Sequence, residues 1–417
     1  MQQRIVIIGS GFAGLWSALG AKRLINLHPE NDVEVLVIAP EPSLVLRPRL
    51  YEENAKRMKV SLEEVFQATG IRFMKGTVQT IDSDKDQVVV LSSEGSRSEV
   101  SYDRLILAAG SQLVHPQSVS GLAQHSYDVD TFEGATKLET RLEELPSLPP
   151  SPARDTVIVC GAGYTGIELA TELPSRLKTI FKSAPAPKVV LVSSTDEVGA
   201  ELGAGPRPTI EKALESLHVE VRSGSAVKSV DSTGVTLDSG EHIPSLTAVW
   251  TAGMGATPLT AQIDGPRDST GRLHVDQDLR VPSCKRVFAT GDACRALTGD
   301  SDGHYTLMSC QHAQILGRFS GHNAAADLLG EPTVPYSQPN YVTCLDLGSY
   351  GAVLTNGWDR QVMLTGVVAK KVKTQINQYL IYPPKAHEKN ALAEAVPQSP
   401  NFLGNFNTLL KRWGYLS

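Results

Sequence analysis

Glycines are the residues of this 417-residue chain best placed to do chemistry, because their spacing brings backbone N–H groups to phosphate. Gly9-Ser10-Gly11-Phe12-Ala13-Gly14 follows Arg4-Ile5-Val6-Ile7-Ile8, which reads as a buried strand. Leu15-Trp16-Ser17-Ala18-Leu19 then continues with helical periodicity. The three glycines have separate duties: a tight turn, backbone approach to a pyrophosphate, and close helix–strand packing. The helix start adds free N–H groups and the positive end of its dipole. The device returns after a second strand, Thr156-Val157-Ile158-Val159-Cys160, as Gly161-Ala162-Gly163-Tyr164-Thr165-Gly166, running on into Ile167-Glu168-Leu169-Ala170. Two dinucleotide cradles in one chain imply electron traffic between them. The pairing that suits them is a flavin held permanently and a nicotinamide that visits.

The elements that must position these turns are also legible. Leu145-Pro146-Ser147-Leu148-Pro149-Pro150-Ser151-Pro152 cannot sit inside a helix or a central strand, so it marks a connector ahead of the second fingerprint. A charged amphipathic helix, Thr131 to Glu144, precedes it. Tyr102-Asp103-Arg104-Leu105-Ile106-Leu107-Ala108-Ala109-Gly110 is a strand entering a small-residue turn, and Ala248-Val249-Trp250-Thr251-Ala252-Gly253 repeats the pattern. Arg286 to Ala293 is a strand ending in Gly291-Asp292.

A net charge of -6 argues against nucleic acid as a partner, since phosphate binding wants a basic face. The five cysteines (Cys160, Cys284, Cys294, Cys310, Cys344) form no CxxC and no metal spacing, so we expect no metal and a reducing compartment. Arg4 to Ile8 leaves no room for a targeting peptide, and no apolar run reaches the ~18 residues of a membrane span. The expected location is the cytoplasm, including the inner face of its membrane.

These segments together resemble the two-dinucleotide-binding-domain flavoproteins. The resemblance implies that Gly291-Asp292 meets the flavin's ribityl and phosphate region, with Asp292 accepting from a hydroxyl; the plain alternative is a helix cap. Within that superfamily, Glu41 to Lys56 carries no redox cysteine pair, which sets the disulfide reductases aside. Tyr164 to Leu173, Trp250-Thr251-Ala252-Gly253, Pro48-Arg49-Leu50-Tyr51 and Gly76-Thr77-Val78 resemble the type II NADH dehydrogenases, which pass electrons from NADH through FAD to a respiratory quinone. The fold implied is α/β: two Rossmann-like dinucleotide-binding domains plus a C-terminal α+β region. An FAD domain (1–112 and 275–332) would hold an inserted NAD(P)H domain (113–274), followed by residues 333–417.

The resemblance also implies site residues. Gly9, Gly11, Phe12, Ala13, Gly14, Pro48, Val78, Ala109, Gly110, Gly291, Asp292 and Ala313 would hold FAD. Gly161, Gly163, Tyr164, Thr165, Gly166, Glu168 and Gly253 would hold NADH or NADPH. Glu172 and Gln311 would act in electron transfer, at the nicotinamide–flavin contact and the quinone side.

Departures from the pattern bear on the substrates. The acid that usually closes the second strand and binds ribose is Ala39, leaving Glu41 to reach it; in the second domain that place is Ser193, which selects neither nucleotide. Cys310-Gln311-His312-Ala313-Gln314-Ile315 keeps the first glutamine of the quinone-side motif and replaces the second with Ile315. His312 reads either as part of that motif or as a partly buried helical histidine. A soluble reductase with a different small-molecule acceptor, or a low-turnover redox-sensing protein, therefore stays open beside the quinone reading. Towards the C-terminus, Val368, Val372, Ile376 and Leu380 form a stripe flanked by three lysines, and Phe402, Phe406, Leu409, Leu410 and Trp413 form another within 401–417. Such helices suit a membrane surface or a homodimer contact.

Overall fold

The computed structural model describes residues 2–182 and 187–399. Two five-stranded sheets organise it, and every neighbouring pair of strands in both is parallel. The first runs Val287–Ala289, Arg104–Leu107, Gln3–Ile8, Val33–Ala39, Arg72–Lys75. The second runs Ser126–Tyr127, Thr247–Trp250, Thr156–Cys160, Lys188–Val192, Glu220–Arg222. In each, the strand before a glycine fingerprint is central and covered on both faces. That is why Ile5-Val6-Ile7 and Val157-Ile158-Val159 are unbroken apolar runs, all fully buried. Strand order changes direction beside each fingerprint, the place where open α/β sheets bind ligands.

All strands of the second sheet fall in sequence between Leu107 and Val287. The chain leaves the first sheet through Ser111–Leu113 and returns through Met254–Ala256, and these two crossings pair antiparallel, Ser111 opposite Ala256. The expected architecture of two Rossmann-like units is therefore present. The amphipathic helix is Phe132–Glu144, with the Thr131 hydroxyl accepting from Gly134 N at 2.9 Å, and the proline-rich connector closes it in a 3-10 turn, Leu145–Ser147.

Helix Phe12–Ile25 is crossed at backbone distance by the long helix Cys310–Leu329. A Cβ on Gly20 would come 2.7 Å from Arg318 O, one on Gly317 2.5 Å from Ala13 O, and one on Gly321 would collide with Ser17 O. Ser17 and Ser320 hydroxyls share a hydrogen bond of 3.1 Å inside the crossing.

Beyond it, Val342–Asp346, Ala352–Asn356 and Gln361–Thr365 form an antiparallel sheet covered by helix Gly366–Gln375. The apolar stripe expected here is corrected. Ala369, Val372 and Lys373 are the buried residues, whereas Leu380 is 54% exposed. The helix widens at Ile376–Leu380 into a π turn, and the wider turn rotates Leu380 off the stripe. The stripe expected within 401–417 lies outside the described residues. Among the described residues no helix is long and apolar enough to cross a membrane.

Candidate active site

The first cradle is built from residues too small to obstruct it. Gly9 has φ +106°, and a Cβ there would sit 2.5 Å from Ala108 O; one on Gly14 would collide with Gly9 O. Gly11, by contrast, opens helix Phe12–Ile25 with nothing within 4 Å of its Cβ position, and Gly110 (φ +69°) is equally open. Phe12 packs partly into the core beneath. Ala13, Gly291 and Ala313 meet from three elements: a Cβ on Gly291 would lie 2.7 Å from Ala13 Cβ and 3.6 Å from Ala313 Cβ.

Asp292 is not a helix cap. Its Oδ2 accepts from Ser111 Oγ at 2.6 Å, with Arg47 Nη1 at 3.8 Å. Burial pushes its carboxyl up, opposed by the Ser111 hydrogen bond and the Arg47 charge. Arg47 is fixed in turn: Nη1 donates to Ser111 Oγ at 2.9 Å and Ser111 O at 3.2 Å, and Nε donates to Asp130 Oδ1 at 3.0 Å. Pro48 sets the 3-10 turn Arg47–Arg49 that aims it. Sequence reasoning missed Arg47, Ser111 and Asp130, although Arg47 and Ser111 each adjoin a residue it had singled out.

Two expected contacts take other partners or a supporting role. Glu41 is exposed and ion-paired with Lys59, whose ammonium holds its carboxyl below the usual range. Val78 is buried in strand Thr77–Asp82, and the preceding Gly76 N donates to Ala39 O at 2.9 Å, so this strand starts at the carboxyl edge of the sheet. Open glycines, a three-way junction of small residues and a partly buried carboxylate acceptor together fit a flavin dinucleotide.

The second cradle repeats the design. Gly161 has φ +121°, with a Cβ position 2.9 Å from both Ala252 Cβ and Thr251 Oγ1, and a Cβ on Gly166 would collide with Gly161 O. The recurring small-residue turn is thereby explained: Ala108-Ala109-Gly110 and Thr251-Ala252-Gly253 each press on the first glycine of a fingerprint. Gly253 takes φ +83°. Gly163 opens helix Tyr164–Phe181, and Tyr164 N donates to Glu201 Oε1 at 3.2 Å. Thr165 is exposed on that first turn. Ser193 is buried, its hydroxyl 3.0 Å from Thr195 O, so no carboxylate closes the strand.

Glu168, expected at the nucleotide, has its carboxylate in a buried pair. Its Oε1 accepts from Lys373 Nζ at 2.8 Å and from Asp346 N at 2.9 Å. Burial pushes the Glu168 carboxyl up to about 7 against the pull of Lys373. Burial also pulls on Lys373, but Glu168 more than offsets it and holds the ammonium above its ordinary range. Tyr51 Oη donates to Asp346 Oδ2 at 3.1 Å, and Lys370 donates to Oδ1. Lys373 Nζ stands 5.8 Å from the ring centres of both Tyr51 and Tyr164. Glu172, one turn along, is half-buried at the same seam; burial raises its carboxyl while Lys370 opposes. Lys373 and Asp346 were not read from the sequence, where a lysine beside an apolar stripe was the one available sign, whereas Tyr51 closes the segment Pro48 to Tyr51 that carried the resemblance.

Gln311 and Ala313 lie in the first turn of helix Cys310–Leu329, where Ser309 Oγ accepts from His312 N at 3.2 Å. Gln311 is half-buried and Ile315 buried. His312 is fully buried rather than partly so. Its ring stacks on Tyr341 at 4.6 Å, Leu307 N donates to Nδ1 at 3.1 Å, and burial pushes its pKa down to about 3. Burial likewise pushes Cys160, Cys294 and Cys344 up to about 12 and Cys310 up to about 11, so these thiols stay protonated. Among the described residues no group of His, Cys, Asp and Glu could hold a metal ion.

Fold and site together define a two-dinucleotide oxidoreductase. Residues 3–317 match the family model of the pyridine nucleotide-disulphide oxidoreductases, and the chain belongs to that family. It is 43% identical over 400 residues to an NADH dehydrogenase-like protein of Mycobacterium tuberculosis, covering 95% of this chain and 98% of that one. It is 31% identical over 327 residues to a type II NADH:quinone oxidoreductase of the same organism, covering 70% and 66%. Among solved structures it resembles NDH2 from Plasmodium falciparum in complex with NADH, with a TM-score of 0.74, 13% identity and coverage of 95% and 98%. Membership carries FAD as cofactor and NADH or NADPH as substrate.

Proposed function

We propose that the protein is an FAD-dependent NAD(P)H:quinone oxidoreductase of the type II NADH dehydrogenase kind. The junction of Ala13, Gly291 and Ala313 carries this reading. It joins the first cradle, whose Gly11 and Asp292 would hold FAD, to the helix turn that carries Gln311. A relative at 31% identity, named as an NADH:quinone oxidoreductase, supports it.

Bound FAD supplies the two-electron step between nucleotide and acceptor. The backbone at Gly11 and Gly110 binds pyrophosphate. Asp292, held by Ser111 and Arg47, accepts from a hydroxyl. The N-terminus of helix Tyr164–Phe181 binds the phosphates of NADH or NADPH. Glu168, whose Oε1 accepts from Lys373 and from Asp346 N, fixes that helix against the C-terminal region. Gln311 orients the acceptor by hydrogen bonding. No side chain serves as nucleophile; the protein supplies position and electrostatics.

The test is anaerobic addition of NADH or NADPH while following the visible flavin band, then addition of a short-chain quinone. Bleaching followed by recovery is expected. Bleaching without recovery would remove the quinone and leave a reductase for another acceptor, the reading that buried Ile315 favours. We also infer peripheral attachment to the inner face of the cytoplasmic membrane. Val362, Met363, Val367, Tyr379 and Leu380 are exposed on and around helix Gly366–Gln375. Sedimentation with anionic liposomes, with and without residues 401–417, tests it; a homodimer would instead show in sedimentation velocity.

A further inference from the structure

The two cradles differ at the glycine that faces the phosphates. At Gly11 nothing occupies the space over the backbone within 4 Å of the Cβ position. At Gly163 that space holds the protein's own carboxylate: Glu201 Oε1 lies 2.6 Å from the Cβ position and accepts from Tyr164 N at 3.2 Å. Glu201 therefore sits on the helix N-terminus where an anionic ligand belongs.

The local chain holds it there while leaving it free to depart. Gly199 N donates to Ala162 O at 3.1 Å, tying the loop to the fingerprint. Gly199 (φ +63°) and Gly203 (φ +81°) bracket one 3-10 turn, Ala200–Leu202. Val198 and Leu202 anchor that turn in the core, whereas Glu201 between them is exposed. Its side chain can swing into solvent without uprooting Leu202. Arg207, on the next helix, is engaged by Glu197 at 2.6 Å.

We propose that Glu201 is a built-in competitor for the pyrophosphate of NADH or NADPH and so sets the affinity of the second cradle. This rests on the nucleotide reading given above. A bound nucleotide displaces the carboxylate, and as oxidised nucleotide leaves, Glu201 caps the Tyr164 N–H again. The visiting ligand is thereby held less tightly than its phosphates alone would dictate, as suits a substrate exchanged at every turnover.

The test uses the flavin-loaded enzyme and ADP-ribose, which carries the pyrophosphate but no hydride. Its binding is measured by calorimetry for wild type, Glu201→Gln, Glu201→Ala and, as a control for charge alone, Glu211→Gln on the exposed face of the next helix. Both Glu201 variants should bind about two- to fivefold more tightly, the factor expected for one carboxylate at a helix N-terminus. Their kcat/KM for reduced nucleotide should rise by the same factor, with KM for the acceptor unmoved and Glu211→Gln like wild type. Unchanged or weaker ADP-ribose binding in Glu201→Gln, with wild type binding normally, overturns the competitor. Failure of every form to bind ADP-ribose overturns the nucleotide site beneath it as well.

Discussion

Helix Phe12–Ile25, behind the first cradle, meets its neighbour through Gly20, Gly317 and Gly321 at backbone distance, with one pair of serine hydroxyls between them. Helix Tyr164–Phe181, behind the second, meets the C-terminal region through Glu168 and Lys373, a charged pair with both side chains under a tenth exposed. Close backbone contact fixes a shape and titrates nothing. A buried pair is costly to desolvate, tolerates the loss of neither partner, and can hold or release a proton. The first helix is thus locked by shape and the second by charge.

The largest break in this comparison is Lys373→Met. Leaving Glu168 buried without its cation should cost about 3–5 kcal/mol in denaturant unfolding. Adding Glu168→Gln should restore much of that loss, and a double variant no better than Lys373→Met would mean the pair is not the unit.

The two sides should next separate by pH. His312, on helix Cys310–Leu329 that crosses the one behind the first cradle, is held neutral with its pKa near 3, against 6.5 when unfolded. Its stabilisation is whole above pH 6.5 and drains away as pH falls from there towards 3. Two units into that window the loss reaches about 2.7 kcal/mol, and His312→Phe should flatten this acid limb in chemical melts. Glu168 has the opposite sign. Its carboxyl is raised from 4.5 to about 7, so its stabilisation is whole below 4.5 and declines as pH rises through that interval.

Smaller still is the matched pair Gly14→Ala and Gly166→Ala. Each drives a methyl into the first glycine of its own fingerprint, at a cost of about 1–3 kcal/mol. Gly14→Ala should lose flavin on purification. Gly166→Ala should keep flavin and lose NAD(P)H-dependent bleaching. Both variants losing the same function would dissolve the distinction between the cradles. Least of all, Arg47→Lys should cost about 1 kcal/mol, since one ammonium replaces a fork that bonds Asp130 and Ser111 together. Flavin release by mild denaturant would report it.

What could be read from the sequence divides along the same line. The fingerprint glycines were legible because their constraint is local: φ at Gly9 and Gly161, and collision between the first and third glycine, both act within six residues. Asp292 was legible through its glycine neighbour and the strand before it. Glu168 and Lys373 are 205 residues apart, and nothing near either announces the other. The three lysines beside the apolar stripe look alike in the sequence, and only the fold singles out Lys373. The π turn at Ile376–Leu380 has no residue pattern that marks it, so the stripe was carried one turn too far. Glu201 likewise lies 37 positions from the Tyr164 N–H it caps.

The antiparallel pairing of Ser111–Leu113 with Met254–Ala256 has a mechanical consequence. The two passages of chain between the sheets are zipped to each other, so the lobes are joined by a ribbon rather than by two independent strings. A ribbon twists readily and stretches poorly. One proteolytic cut in either passage should leave both lobes travelling together through gel filtration, held by the uncut passage and by the Arg47–Asp130 and Glu168–Lys373 contacts.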